Sequence, residues 1–172
     1  MNIAALSIAS ALLAGHVAPA KGPVKSQSLF NKMKFMQGGW HGESKSGMKE
    51  DLDIKLIAGD AVLMETSNLG MVTMYHLDGE RLLLTHYCMA KNQPRLLASE
   101  ASDDGKTVTF TFLDGTNMKS RNVGHMDKVV FEFIDKDTYR SKWTWYQDGK
   151  ERWMEDFTYR RIKPASPPKA AR

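Results

Sequence analysis

The stretch MVTMYHLDGERLLLTHYC, residues 71–88, decides how the chain is to be read. Two apolar-rich runs flank Asp78 and Gly79. An Asp-Gly pair between alternating segments is a strong signal for a tight antiparallel hairpin. The two arms are therefore adjacent strands, 71–77 and 81–88.

The same two-residue period spreads in both directions. Upstream, Leu52, Ile54 and Leu56 alternate with Asp51, Asp53 and Lys55, which predicts a strand with one wet face. Gly59 and Asp60 turn the chain into a strand over 61–67, and a short strand over 40–46 opens the series. Downstream come a strand over 95–101, a turn at Asp103, Asp104 and Gly105, and the run TVTFTFL over 107–113. Val129, Phe131 and Phe133 mark another strand. Tyr139, Ser141, Trp143 and Trp145 share one face of the next, and Asp148 and Gly149 lead into 153–161. No helix long enough to cross between parallel strands interrupts them.

About ten short strands joined by hairpins predict an all-β fold, a single antiparallel up-and-down barrel whose closure hides its edges. A two-sheet sandwich is the alternative. Adjacent hairpins favour the barrel, since sandwiches use longer Greek-key connections.

Before the first strand, residues 26–37 read as a short helix. Leu29, Met33 and Met36 fall on one face, Ser28 is a candidate N-cap, and Gly38 with Gly39 ends it. Residues 1–20 read as an export signal: an apolar run over 3–15, then Ala18-Pro19-Ala20 as a cleavage pattern, with the cut after Ala20. No basic residue precedes the run. The run is short for a membrane span and no lipidation cysteine follows it, so a stable membrane anchor is not expected. The expected layout is a signal over 1–20, a linker over 21–27, the barrel domain over 28–162 and a disordered basic tail over 163–172. The mature protein is expected in the periplasm or outside the cell.

The 172 residues carry a net charge of +4, partly from Lys163, Lys169 and Arg172 in the tail. No basic cluster interleaved with aromatics stands out, which argues against a nucleic-acid partner. The single cysteine, Cys88, excludes a disulfide framework.

Successive connections of a meander alternate between its two ends. The tight turns at 78–79, 103–105 and 135–137 then share the end that the helix enters and plugs. The two longer connections, 89–94 and 114–125, share the other end, where function tends to collect. This gathers His86, Cys88, Asn92, Gln93, Asn117 and His125 at one rim.

The motif Gly39-Trp40-x-Gly42 after a short helix resembles the opening of calycin barrels, which include lipocalins and nitrobindin-like haem proteins. Further stretches are more specific: residues 71–79, 84–88, Asn92-Gln93-Pro94-Arg95, Thr116-Asn117-Met118, Gly124-His125-Met126, and Trp143-Thr144-Trp145 before Asp148-Gly149-Lys150. Over residues 35–161 the chain resembles a family of uncharacterised exported bacterial lipocalin-like proteins. The resemblance implies a calycin barrel. It carries over no ligand, activity or haem-ligating residue.

His86 and Cys88, two apart on one strand, point to the same face. An imidazole beside the thiol can lower its pKa, and with His125 the pair can form a soft metal or haem-ligand set. The plainer reading makes Cys88 a small core residue and His86 a hydrogen-bonded neighbour, and the loose spacing favours it. Asn92, Gln93 and Asn117 suit ligand hydrogen bonds equally as they suit turns. Trp143, Trp145, Trp153 and Tyr139 are candidates for a cavity wall, though aromatics on a two-residue period are commonly core. If Phe110, Phe112, Phe131 and Phe133 point inward with the tryptophans, the cavity is small. Glu65, Asp114, Glu132 and Glu155 are scattered, and no spacing pairs them for acid–base work.

The expected function is binding of a small apolar or aromatic molecule entering at the long-loop rim. The expected ligand-binding set is His86, Cys88, Gln93, Asn117, His125, Trp143 and Trp145. An enzyme, or a haem- or metal-binding barrel using His86, His125 or Cys88, is the alternative.

Overall fold

The structure is a computed structural model and describes residues 25–162. The expected signal segment and basic tail, and all but the end of the expected linker, lie outside that range.

A helix α1, Ser26–Met33, runs into a 3-10 turn, Lys34–Met36. Ten strands follow: β1 Gly38–Ser44, β2 Lys49–Ile57, β3 Val62–Ser67, β4 Val72–Asp78, β5 Arg81–Tyr87, β6 Gln93–Ala101, β7 Thr107–Thr116, β8 His125–Asp135, β9 Thr138–Gln147 and β10 Lys150–Arg161. Each pairs antiparallel with its chain neighbours, and β1 pairs with β10 to close the barrel. The meander and its closure are as the hairpin signals predict.

Three local expectations shift. Ser28 is not the helix cap: the helix starts two residues earlier, and Lys25 at the N-cap position makes no side-chain capping bond. The buried helical residues are Ser26, Leu29, Phe30 and Met33, so packing of this face, rather than a cap, holds α1. The two longer connections are shorter than expected, 88–92 and 117–124. Gln93, Pro94 and Arg95 are already paired with Thr116, Gly115 and Asp114, and Arg95 makes a two-pronged ion pair with Asp114 on the outside. Cross-strand pairing therefore absorbs residues whose composition suggests a loop.

The barrel is solid at the helix end. Trp40, Tyr75, Phe110, Phe131 and Tyr139 are fully buried there, with Leu29, Phe30, Met33 and Met36 from the helical segment among them. The Trp40 ring meets Tyr139 edge-on at 4.8 Å, and its indole N–H donates to the Met36 carbonyl at 2.6 Å. Gly38 reverses the chain from the 3-10 turn into β1 at φ +113°, where a side chain would be strained. Arg161 fastens the same end. Its guanidinium lies 4.2 Å from the Trp40 ring centre and donates to the carbonyls of Phe35, Gln37 and Lys136.

Candidate functional site: the hollow end of the barrel

With the aromatic core and the helix filling one half, the other half is hollow. A cavity of about 280 Å³ opens at the end opposite α1, at the low edge of the roughly 300–1,000 Å³ typical of small-ligand sites. Its mouth is apolar: Met48, Met89 and Trp153 are 44%, 65% and 46% exposed. Loops 45–48, 68–71 and 88–92 frame it, so of the two longer connections 88–92 reaches the opening and 117–124 does not line it.

Strand parity sets the wall. On β9, Trp143 and Trp145 face in; on β10, Trp153, Glu155, Phe157 and Tyr159 do. A register shift between Glu151 and Trp153 places Trp153 opposite Trp145. The two indoles stack with centroids 5.6 Å apart and planes 3° apart. Trp143 lies beside His86 at 5.1 Å between ring centres.

The floor is polar, which an apolar wall alone does not suggest. Glu50 accepts from the Tyr159 hydroxyl at 2.5 Å and from Ser67 Oγ. Glu65 accepts from the Tyr75 hydroxyl at 3.1 Å. Loss of hydration, reinforced by the Glu50 charge, pushes the Glu65 carboxyl up to about 7. Burial likewise raises the Tyr75, Tyr139 and Tyr159 phenols well above their ordinary value. These carboxylates were legible as an oddity of phase. In β2, Glu50 occupies the buried phase shared by Leu52 and Ile54. In β3, Glu65 shares the phase of Leu63, two residues before it.

His86 and Cys88 line the cavity together, as their two-residue spacing predicts. His86 is 5% exposed, its Nδ1 lies 3.0 Å from Thr73 Oγ1, and its Nε2 is buried with no hydrogen-bond partner. Desolvation lowers its pKa to about 4, so it is neutral at physiological pH. The thiol is therefore not activated by the imidazole, in line with the plainer reading of the pair. No imidazolium stands near Cys88, and burial pushes the thiol up, against weaker help from the Ala90 and Met89 backbone amides.

The other rim candidates do not line the cavity. His125 pairs with Tyr146, on the opposite face of β9 from Trp143 and Trp145. It is fully buried in a separate cluster: Nδ1 donates to the Val123 carbonyl at 2.5 Å, and Arg121 Nη1 lies 2.5 Å from Nε2. The Arg121 guanidinium is in turn clamped between Phe112 and Tyr146, 4.3 and 3.9 Å from their ring centres. Phe112 is thus drawn into this cluster, outside the core that holds Phe110, Phe131 and Phe133. A ligand set of His86, Cys88 and His125 is not assembled. Among the described residues no group of three His, Cys, Asp or Glu is placed to hold a metal.

Asn92 and Asn117 staple the two longer loops to each other, and Gln93 ties the ends of β6 and β7 beside them. Asn92 Nδ2 donates to the Gly124 carbonyl at 2.8 Å, Asn117 Nδ2 to the Lys91 carbonyl, and Thr116 Oγ1 to Gln93 Oε1 at 2.7 Å. Asn117 takes φ +54°, a left-handed conformation that Asn tolerates. Of the scattered carboxylates, Asp114 and Glu132 serve outer ion pairs, whereas Glu65 and Glu155 line the cavity.

No known family profile matches the chain, and no curated protein matches it. Among solved structures, the fold is similar to that of a protein of unknown function from the DUF3598 family of Nostoc punctiforme PCC 73102. The TM-score is 0.51 at 13% identity, over 76% of this chain and 49% of that one. The chain thus spans about half the length of this structural neighbour, and the likeness is one of fold.

Proposed function

We propose that this protein is an exported, lipocalin-like barrel of the calycin type that binds a small, largely apolar molecule through its hollow end. The observation that carries the reading is the division of the barrel interior. One half is packed solid by aromatic side chains and the helix; the other encloses about 280 Å³ behind an apolar mouth. A packed interior normally leaves few voids larger than a water molecule, so a hollow of this size at the open end of a barrel is the natural ligand site. Trp143, Trp145 and Phe157 form its wall; His86, Glu65 and Glu50 supply polar contacts toward its floor. Export rests on the apolar N-terminal run and the Ala18-Pro19-Ala20 pattern.

The test has two parts. Native mass spectrometry of protein from its own host is expected to show a small-molecule adduct. The fluorescent probe N-phenyl-1-naphthylamine is expected to brighten on entering the cavity. Met71→Trp, which narrows the mouth, should abolish the brightening while leaving the melting temperature within a few degrees. Probe brightening that survives the blocked mouth, with no adduct from the host, would remove the reading.

A further inference from the structure

We propose that the molecule bound in this cavity carries a primary ammonium group, held between Glu65, Glu50 and His86 and walled by aromatic rings. The inference rests on the reading of the hollow as a ligand site and deepens it.

The first observation is an uncompensated charge. Glu50 and Glu65 stand on the floor and Glu155 nearer the mouth, and no Lys or Arg lines the cavity. The hydrogen-bond partners of Glu50 and Glu65 are neutral hydroxyls: Tyr159 and Ser67 for one, Tyr75 and Thr73 for the other. A carboxylate withdrawn from water and lacking a cationic partner is costly, and a bound cation removes that cost. The groups that face Glu65 are Glu50 from β2, Thr73 and Tyr75 from β4, Tyr139 from β9 and Tyr159 from β10. None of them is a cation.

The second observation is independent: the orphaned Nε2 of His86, buried on the cavity wall. Its role follows from counting protons. Thr73 has one hydroxyl hydrogen, which it gives to Glu65 when that carboxylate is ionised. Thr73 Oγ1 then accepts from His86 Nδ1–H at 3.0 Å. The imidazole, neutral because it is buried, then carries its bare lone pair on Nε2, which has no partner in the protein where His86 meets the cavity wall. The site therefore asks for an N–H donor as well as a positive charge. An ammonium satisfies both; an alcohol satisfies only the donor, and a carboxylate neither.

The wall fits the same chemistry. Trp143 stands against His86, and Tyr159 and Phe157 stack at 5.6 Å beside Glu50's partner hydroxyl. Aromatic faces attract a desolvated cation. A cavity of this size takes one short monoamine, such as an arylalkylamine.

The experiment is a titration of tryptophan fluorescence with three near-isosteres: 2-phenylethylamine, 2-phenylethanol and phenylacetate. The amine is expected to bind at least tenfold more tightly than either at pH 8. Its affinity should fall several-fold at pH 6, where Glu65 takes up a proton. Glu65→Gln should erase the preference for the amine, leaving the alcohol little changed. Quaternising the amine to its trimethylammonium form removes the donor to His86 and should weaken binding. Equal binding of amine and alcohol by the natural protein overturns the ammonium assignment while the binding barrel stands; this arm needs no variant to fold. Retained preference in Glu65→Gln overturns it as well. Failure of all three compounds to bind also overturns it, and the broader reading then falls only if the host-derived protein carries no adduct.

Discussion

His86 Nδ1 lies 3.0 Å from Thr73 Oγ1, and the same hydroxyl helps to stabilise the ionised Glu65 carboxyl, so a titrating carboxyl and a depressed imidazole share one neighbour. Their pH dependences oppose each other. The unfolded chain releases the Glu65 proton near 4.5 and the folded chain near 7, so this group lowers stability as pH rises through that window. The unfolded chain protonates His86 near 6.5 and the folded chain near 4, so this group lowers stability as pH falls through its window. Between about 4.5 and 6.5 the two nearly cancel. Each variant should expose the slope of the group that remains, up to about 1 kcal/mol per pH unit. Glu65→Gln should lose stability on acidification from pH 6.5 to 4.5, and His86→Gln should gain it. Urea unfolding at three pH values measures both; parallel curves for both variants would refute the arrangement.

Gly42 makes room for Tyr159. A methyl group there would meet the tyrosine ring at 2.3 Å, and that ring is 3% exposed with its hydroxyl on Glu50. Gly42→Ala should therefore cost about 1–3 kcal/mol by overpacking, and it should disturb the cavity floor. Thermal denaturation should show the loss, and ligand affinity should fall with it. An unchanged melting temperature would mean the ring has room to move.

Arg161 joins the 3-10 turn to the turn between β8 and β9 through three backbone carbonyls and Asp137. Arg161→Lys keeps the charge and loses the planar fork that reaches them together. A loss of about 1.5–3 kcal/mol is expected from hydrogen bonds to a charged group. Amide hydrogen exchange should rise across the helix and the 3-10 turn while the loops at the cavity mouth stay as they were. Equal protection in both proteins would place the fastening elsewhere.

Cys88 should behave as an unactivated thiol. Burial raises its pKa and the neighbouring imidazole is uncharged, so its reaction with iodoacetamide at pH 7 should be slower than that of a free cysteine. His86→Gln should leave the rate within about twofold. A rate that falls steeply in that variant would restore an imidazole-activated thiol.

Much of the barrel is legible before any coordinates. Asp78-Gly79 and Asp148-Gly149 mark hairpins by local turn chemistry, and all ten strands overlap the segments that period-two alternation marks. Residues 93–94 and 114–116 were not legible as strand, because Asn, Pro, Asp and Gly carry loop signals that pairing across β6 and β7 overrides. The site was half legible. His86, Cys88, Trp143 and Trp145 are found by parity; His125 at the same end is not, since a register shift between Met126 and Lys128 puts Met126 on the cavity side and turns His125 to the outer face of β8.

Alternation and turn residues are properties of neighbours in the chain, so the sequence by itself determined a hairpin meander with one helix before it and the end at which each loop falls. Which half of the interior is filled depends on residues brought together from strands far apart in the chain. Only the tertiary structure set Trp40 against Tyr139 and Arg161 at one end, and gathered Glu50, Glu65, Tyr159 and His86 around a hollow at the other. The depth of a carboxylate and the freedom of an imidazole nitrogen are fixed by desolvation and by partners across the barrel, and neither is written in local spacing.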